Sequence, residues 1–269
     1  MKTCFLTISA LLVATQLHAG DTETRNPMIE SPTWVELAGD LAGDDPIADA
    51  AGVFTLEAPL RAHDAATVPV TLRQTEASAE PIRNARLIVD ENPAPVAADI
   101  AFGAAMAPLD FEMRVRVNQY SNIRAIVETD GGRYMDGRFV KASGGCSAPA
   151  TRANDEALAA MGEMKLKSFG MDGAVSTPRR EAQIMIRHPN YSGLQRDQIT
   201  QLFVPAHFLS RIEVLQGDDR LFLLEGGISL SENPVFRFGY SDNGAETLRV
   251  VAEDTEGNTF EQVFSKAGS

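Results

Sequence analysis

Residues 111–140, "FEMRVRVNQYSNIRAIVETDGGRYMDGRFV", carry the clearest strand pattern in the chain. The first part of this stretch alternates apolar and polar side chains with a period of two. The apolar positions are Phe111, Met113, Val115 and Val117, and the polar positions are Glu112, Arg114, Arg116 and Asn118. Such alternation is typical of a strand with one buried face. The motif "TDGGR" at 129–133 predicts a hairpin turn between two further strands.

Similar short runs rich in Val, Ile and Phe extend in both directions from this stretch. Four of them precede it: "GVFTLEAP", "TVPVTLRQ", "ARLIVDENP" and "PVAADIAFG". Seven more follow residue 162: "EMKLKSF", "EAQIMIRHP", "RIEVLQ", "RLFLLEG", "VFRFGYS", "TLRVVAED" and "TFEQVFS". Many short strands separated by turn residues predict β-sandwiches. We therefore expect an all-β protein with two sandwich domains in tandem.

A short helix is expected before the first sandwich, in "SPTWVELAGDL". Ser31 is suited to cap it and Pro32 to occupy its first turn. Trp34, Leu37 and Leu41 then recur at helical spacing. This pattern predicts an amphipathic helix that covers a sheet edge.

The N-terminus, "MKTCFLTISALLVATQLHAG", has the pattern of a secretory signal peptide. Lys2 precedes an apolar run from Cys4 to Val13, and small residues surround Ala19. The run is too short for a membrane-spanning helix, and no later run approaches the required length. We expect cleavage after Ala19 and a soluble periplasmic protein.

The charge of the chain disfavours two classes of partner. The formal net charge is −13, and loss of Lys2 with the signal peptide would make it one unit more negative. Nucleic-acid binding requires a basic surface, and an anionic membrane surface would repel such a chain. We therefore expect no nucleic-acid partner and no binding to an anionic membrane surface. The short apolar runs described above also predict no membrane span.

Signal cleavage would leave Cys146 as the only cysteine, in "KASGGCSAPAT" at 141–151. A single cysteine in an oxidising compartment is a thiol in use, a site of intermolecular pairing or an accident. Gly144 and Gly145 lack a Cβ, which allows the backbone before the thiol to bend. The sequence thus predicts a flexible linker with Gly144 and Gly145 as its hinge. Arg138, Lys141 and Arg152 flank the thiol and either favour its thiolate or are ordinary solvated charges.

Sequence motifs of self-contained enzymes are missing. The chain contains no HExxH, CxxC, GxSxG or phosphate-binding glycine loop. His63, His188 and His207 are scattered, so a metal site made of His188, His207 and a distant carboxylate is the less favoured interpretation. The motifs "HPNYSG" and "PAHF" around these two histidines are expected to serve turns and domain contacts more than chemistry. No cofactor and no metal is predicted.

The segment "GGCSAPA" resembles the GGCGG carrier motif of SoxY, the sulfur-carrying subunit of the periplasmic sulfur-oxidation system. Upstream, "ARLIVDENPAPVAADIAF" and "VKASGGC" are similar to SoxY in the same order. In the second half, "RHPNYSGL", "LFVPAHFLSRIEVLQGDDRLF" and "GGISLSENPVFRF" resemble its partner SoxZ. The arrangement is similar to fused SoxYZ-like carriers associated with quinoprotein dehydrogenases. The resemblance implies immunoglobulin-like sandwiches and a cysteine, Cys146 here, that carries sulfur covalently.

Two departures from SoxY affect this expectation. In SoxY the motif ends the chain, whereas here a second domain follows, so the segment is held at both ends. Ser147, Ala148 and Pro149 also replace the glycines after the cysteine.

We expect a signal peptide at 1–19, a SoxY-like sandwich at 20–142, a cysteine-bearing linker at 143–162 and a SoxZ-like sandwich at 163–269.

The expected function is that of a periplasmic carrier and not of an enzyme. Cys146 would be loaded and unloaded by sulfur-oxidation enzymes, by a quinoprotein dehydrogenase with its cytochrome, or by both. Two alternatives stay open. The chain is a non-catalytic adaptor for a quinoprotein dehydrogenase or cytochrome, or it forms a homodimer through Cys146.

Overall fold

The computed structural model describes residues 26–78, 80–149, 158–169 and 179–266. The predicted signal peptide and residues 150–157 of the predicted linker lie outside the described residues. The first half contains helix α1 (Pro32–Ala42) and strands β1 (Ile47–Asp49), β2 (Phe54–Glu57), β3 (Val68–Gln74), β4 (Asn84–Val89), β5 (Val96–Phe102), β6 (Asp110–Val115), β7 (Ser121–Thr129) and β8 (Gly132–Val140). The second half contains β9 (Met164–Phe169), β10 (Arg179–Ile186), β11 (Leu209–Gln216), β12 (Asp219–Gly226), β13 (Val235–Ser241), β14 (Thr247–Asp254) and β15 (Thr259–Ser265).

Every strand expected from the sequence is present. The first set corresponds to β2 through β8, and the second set corresponds to β9 through β15. The "TDGGR" hairpin joins β7 to β8, with Thr129 paired to Gly132. Strand β1 was not predicted, because it has only three residues and pairs in parallel with β8 at the end of a sheet. The all-β prediction is confirmed.

The strands form two sheets, and each sheet runs through both halves of the chain. The larger sheet has the order β1-β8-β7-β4-β5-β12-β11-β14-β15, and the smaller has the order β2-β3-β6-β13-β10-β9. In the larger sheet β5 pairs antiparallel with β12, with Ile100 opposite Leu224. In the smaller sheet β6 pairs antiparallel with β13, with Phe111 opposite Phe238. The two sandwich-like halves therefore share continuous sheets.

Phenylalanines from both halves pack together between the two sheets. The ring centroids of Phe111 and Phe222 lie 5.2 Å apart in a T-shaped arrangement, and the ring centroid of Phe102 lies 5.4 Å from that of Phe111. Phe236 packs against both Phe111 and Phe222. Full burial of one such side chain stabilises a protein by about 1.5–3 kcal/mol. The contact between the halves is thus part of a single hydrophobic core.

Helix α1 begins as the sequence predicts but packs elsewhere. The Ser31 hydroxyl accepts a hydrogen bond from the Trp34 backbone N–H, and Pro32 opens the helix. Its apolar side packs on Ile88 of β4 and Ile126 of β7. These are inner strands of the larger sheet, so the helix covers a sheet face and not the expected edge. In the described part of the chain, no helix combines the length and hydropathy needed to cross a membrane.

Candidate functional site

Cys146 lies in a short 3-10 turn, residues 145–147, which follows the last strand of the first half. Two backbone hydrogen bonds fix this turn to the chain just after β6. The N–H of Gly144 donates to the Asn118 carbonyl at 2.8 Å, and the N–H of Gly145 donates to the Val117 carbonyl at 3.0 Å. The Cys146 side chain is 0% exposed. The thiol is therefore enclosed by the protein.

Gly144 and Gly145 fit the turn closely to its surroundings. Gly144 has φ 80° and ψ 8°, in the left-handed region that favours glycine. A Cβ on Gly145 would lie only 2.1 Å from the backbone oxygen of Ala65 and 2.7 Å from that of Val117. The burial of Cys146 contradicts the expectation that its thiol is reachable from solvent, whereas the role of Gly144 and Gly145 as a hinge stays a prediction. A missing side chain permits either mobility or close packing, and here it permits close packing.

Arg116 is the basic residue beside the thiol. It follows β6 and is 1% exposed. Its Nη1 donates to the Gly145 carbonyl at 3.0 Å, and its Nη2 donates to the Asn190 carbonyl at 3.3 Å. Its Nε donates to the Leu230 carbonyl at 3.2 Å. These backbone carbonyls connect the guanidinium to both halves and to the cysteine turn, but they do not neutralise its charge.

The electrostatic environment keeps the thiol protonated. Burial raises the pKa of Cys146 to about 11, and the positive charge of Arg116 acts in the opposite direction without overcoming it. Burial likewise lowers the pKa of Arg116, while the neighbouring Cys146 and the acidic residues Glu232 and Asp64 favour its charged form. Because the thiolate and not the thiol is the nucleophile, Cys146 is unreactive in this conformation.

The sequence pointed to other basic residues around Cys146. Arg138 instead donates a 2.6 Å hydrogen bond to Asp136, and Arg152 lies outside the described residues. Arg116 was missed because it occupies a polar position of the alternating pattern. The strand ends at Val115, however, and Val115, Arg116 and Val117 are all buried. Alternation stops at that point, so it no longer indicates which side chains face solvent.

The second half of the chain contributes a loop, residues 191–207, that holds the cysteine turn. The Ser192 hydroxyl donates to the backbone carbonyl of Cys146. The Gln195 Nε2 donates to the Ala148 carbonyl at 3.0 Å, and its Oε1 accepts from the Ser192 N–H at 2.9 Å. We call Ser192 and Gln195 the clamp. They lie in or next to the motif "HPNYSG", which therefore serves a contact between the halves.

The structure brings His188 and His207 together at Asp254. The His207 Nε2 lies 2.8 Å from Asp254 Oδ2, and the His188 Nε2 lies 3.5 Å from the same oxygen. Asn258 Nδ2 donates to this oxygen as well, at 2.9 Å. Burial and the neighbouring His207 lower the pKa of His188 to about 4. Burial alone would raise the pKa of Asp254, but hydrogen bonds from Asn258 and His207 outweigh it and hold that pKa at about 2.

The less favoured metal site of the sequence analysis corresponds to this cluster. One ligand atom from each of His188, His207 and Asp254 lies within 4.8 Å of the other two. However, the Asn190 N–H donates to His188 Nδ1 at 3.1 Å, which places the proton of the neutral ring on Nε2. A metal ion would need the lone pair of that nitrogen. The arrangement therefore fits a hydrogen-bonded network that anchors both ends of the loop.

Two family models match the chain in succession. The sulfur oxidation protein SoxY matches residues 38–146, and the sulfur oxidation protein SoxZ matches residues 173–265. The SoxY match ends at Cys146, the buried cysteine described above. The chain belongs to the SoxYZ family. It is a fusion of a SoxY domain and a SoxZ domain, and within this SoxYZ chain the SoxZ domain supplies the clamp on the cysteine turn.

Some solved structures are similar to parts of this SoxYZ chain, with low TM-scores. The sulfur carrier protein SoxY from Chlorobium limicola f thiosulfatophilum is 25% identical, with 40% of this chain and 94% of that chain covered and a TM-score of 0.34. The superoxide reductase (neelaredoxin) from Ignicoccus hospitalis is 15% identical, with 42% and 98% covered and a TM-score of 0.29. A β-glycosidase from Bacteroides vulgatus is 9% identical, with 84% and 25% covered and a TM-score of 0.24. A comparison with curated proteins gave no match.

Proposed function

We propose that this chain is a covalent sulfur carrier whose Cys146 bears sulfur between partner enzymes. The observation that carries the proposal is the SoxY match, which ends at the only cysteine outside the predicted signal peptide. The enclosure of that cysteine between the two halves supports a specialised thiol and not an accidental one. An exposed thiolate is open to oxidants, whereas a buried neutral thiol is protected from them.

Loading requires the thiolate and access to it. In a sulfane transfer, the Cys146 thiolate attacks the outer sulfur of a persulfide donor, R–S–S⁻. The products are a persulfide on Cys146 and the thiolate R–S⁻, with no net redox change. Conjugation with thiosulfate instead gives a thiosulfonate adduct and releases two electrons and one proton, which a redox partner has to accept. In both cases the buried turn has to open before the chemistry, so the structure corresponds to the resting carrier.

The experiment is intact-mass measurement of the protein purified without reductant from its native host growing on thiosulfate. We expect mass additions of sulfur or of a thiosulfonate group that map to the peptide containing Cys146. The variant Cys146→Ser is the control and should carry no addition. An unmodified thiol in the wild-type protein under these conditions would refute the carrier function.

We further propose that the protein works in the periplasm, as the signal-peptide pattern of residues 1–19 suggests. The mature protein would then begin at Gly20 in a periplasmic extract, which N-terminal sequencing can check. An intact N-terminus in the cytoplasmic fraction would contradict this location. The proposed partners are sulfur-oxidation enzymes, a quinoprotein dehydrogenase with its cytochrome, or both.

Two alternative functions make different predictions. An adaptor for a quinoprotein dehydrogenase would not need the thiol, so Cys146→Ser would leave growth on the dehydrogenase substrate unchanged. A homodimer through Cys146 would migrate at twice the mass on a non-reducing gel. Because Cys146 is buried, this dimer requires opening of the turn, as sulfur loading does.

A further inference from the structure

The loop that holds the cysteine turn also presents an exposed apolar surface. Its two ends are joined by backbone hydrogen bonds, from Tyr191 N–H to the His207 carbonyl at 2.7 Å and from His207 N–H to the Tyr191 carbonyl at 3.0 Å. Further along, an isolated bridge pairs Arg196 with Phe203. The Arg196 guanidinium also lies 4.4 Å from the centre of the Phe203 ring. The loop is therefore internally bonded in its described conformation.

Four side chains of this loop form what we call the apolar tip. They are Leu194, Ile199, Leu202 and Phe203, with exposures of 36%, 92%, 70% and 58%. Ile199 lies in the turn at the end of the loop, where Asp197 Oδ1 accepts hydrogen bonds from the backbone of Ile199 and Thr200. Turns of this kind are usually occupied by polar residues. Because the Ile199 side chain is almost fully exposed, it contributes little to the stability of the fold, which favours a role in binding another molecule.

The apolar tip and the cysteine are connected through a few residues. Ser192 and Gln195 hydrogen-bond to the carbonyls of Cys146 and Ala148, and Leu194 lies between them in the chain. The N–H of Leu194 also donates to the Ser192 hydroxyl at 3.2 Å. A protein that binds the apolar tip would therefore touch the element that keeps the thiol enclosed.

We propose that the apolar tip is the docking surface for the enzyme that transfers sulfur to or from Cys146. This inference rests on the proposed carrier function and names where its partner binds. The partner has an apolar surface depression that receives Ile199, Leu202 and Phe203. Binding there brings the partner's active site next to the cysteine turn and pulls on the clamp.

The size of the apolar tip and the net charge of the whole chain favour a partner enzyme over a second copy or a membrane. Four partly exposed apolar side chains offer a few hundred Å², whereas each partner in a stable interface contributes about 800 Å². A small surface suits a carrier that has to leave each enzyme after transfer, and it is too small for a permanent dimer. The net charge of −13 opposes binding to an anionic membrane.

The test uses the full-length double variant Ile199→Asp, Leu202→Asp, produced in the native host growing on thiosulfate. The matched control is Val35→Asp, because Val35 is also an exposed apolar residue but lies in α1. Intact mass reports the fraction of Cys146 that carries sulfur. A second measurement reports loading of each purified protein by inorganic polysulfide, which needs no enzyme. Thermal unfolding checks that the variants are folded.

We expect the double variant to carry at least tenfold less adduct in the host, with polysulfide loading equal to wild type and with Val35→Asp unaffected. Wild-type loading of the double variant in the host would overturn the docking surface and leave the carrier function standing. An equal loss in Val35→Asp, or a loss of polysulfide loading in the double variant, would also overturn it. A wild-type dimer in sedimentation equilibrium that the double variant abolishes would assign the apolar tip to a second copy and likewise refute the proposal. If wild-type protein carries no adduct at all, the carrier function fails, and the docking surface fails with it.

Discussion

The Ser192 hydroxyl donates a hydrogen bond to the backbone carbonyl of Cys146, so a SoxZ-domain residue holds the cysteine of the SoxY domain. Gln195 adds a second hydrogen bond to the same turn, at the Ala148 carbonyl. Because the turn is tethered at both ends, it cannot leave its site as a free terminus would. Access to the thiol is therefore controlled by contacts within a single chain.

The first prediction concerns the clamp. The double variant Ser192→Ala, Gln195→Ala should raise the rate of Cys146 alkylation by iodoacetamide at least tenfold at pH 8. Each lost hydrogen bond lowers the free energy that keeps the turn closed by about 1 kcal/mol, which increases the population of the open form.

The control for this variant is Ser210→Ala, Gln262→Ala. It removes the same two side-chain types at positions that hydrogen-bond to the carbonyls of Glu253 and Val263, and it should alkylate at the wild-type rate. Alkylation can be followed by mass spectrometry over time. Equal rates in the clamp variant and wild type would show that Ser192 and Gln195 do not limit access to the thiol.

The second prediction concerns Gly145. Gly145→Ala places a Cβ 2.1 Å from the Ala65 carbonyl oxygen, so the turn or its neighbours have to move. Overpacking of this kind typically destabilises a protein by about 1–3 kcal/mol. We expect a lower midpoint in urea unfolding and faster alkylation of Cys146.

Gly39→Ala is the matched control for that change. No atom lies within 4 Å of a Cβ at Gly39, which lies inside helix α1. Alanine is the better helix former, so this variant should be more stable than wild type by about 0.5–1 kcal/mol. Wild-type stability and an unchanged alkylation rate in Gly145→Ala would mean that the close packing around Gly145 is unimportant.

Much of the fold could be predicted from the sequence, because strands with one buried face follow a period of two. Phe111, Met113 and Val115 are buried as this pattern requires. The continuous sheets could not be predicted, since pairing of Ile100 with Leu224 depends on long-range packing that leaves no local pattern.

The surroundings of the candidate site could not be predicted either, because they too depend on long-range contacts. Cys146 was the candidate residue because of its isolation and the family motif, and its role stays a prediction. The close packing of its turn against Ala65 and Val117, which are distant in sequence, left no local pattern. The sequence allowed a cluster of His188, His207 and a distant carboxylate, but it did not identify that carboxylate as Asp254, which lies 66 residues from His188. Composition around a residue indicates what its backbone is able to do, and the tertiary contacts decide which of those options it adopts.

The third prediction concerns Arg116. Arg116→Met leaves the carbonyls of Gly145, Asn190 and Leu230 without their donor, and each buried unsatisfied acceptor costs about 1–3 kcal/mol. We expect the free energy of unfolding in urea to fall by roughly 2–4 kcal/mol. The fall is smaller than the sum of these costs because the variant no longer buries a charge. The pKa of the Cys146 thiol should also rise above its value of about 11, since the nearby positive charge is gone.

The charge-retaining control is Arg116→Lys. A lysine keeps the positive charge but cannot donate in the fixed fork of a guanidinium. Arg116→Lys should therefore be less stable than wild type, but its Cys146 pKa should be lower than in Arg116→Met. The thiol pKa of each protein is measured from the absorbance at 240 nm during a pH titration, as the difference from the same protein with Cys146→Ser, so that the tyrosinate absorbance cancels. A titration curve in Arg116→Met that matches wild type would show that the guanidinium does not act on the thiol.

The fourth prediction concerns pH and the histidine cluster. Burial and His207 lower the pKa of His188 to about 4, below the value of 6.5 for an ordinary histidine. Between pH 6.5 and pH 4 the unfolded chain binds a proton at this residue that the folded protein excludes. The contribution of His188 to stability is therefore complete above pH 6.5 and is lost as the pH falls toward 4. From pH 7 to pH 5 this loss amounts to about 2 kcal/mol.

The measurement is the free energy of unfolding in urea at pH 7 and at pH 5, for wild type, His188→Leu and His63→Gln. His63 is exposed, so His63→Gln should show the same pH-dependent loss as wild type. His188→Leu should be less stable than wild type at pH 7, because Asn190 and Asp254 lose a hydrogen-bond partner. Its decrease in the free energy of unfolding from pH 7 to pH 5 should be about 2 kcal/mol smaller than that of wild type. Since an ordinary Asp with a pKa near 3.8 is ionised at both pH values, Asp254 does not contribute to this difference. An identical pH dependence in His188→Leu and wild type would place the source of acid sensitivity at another residue.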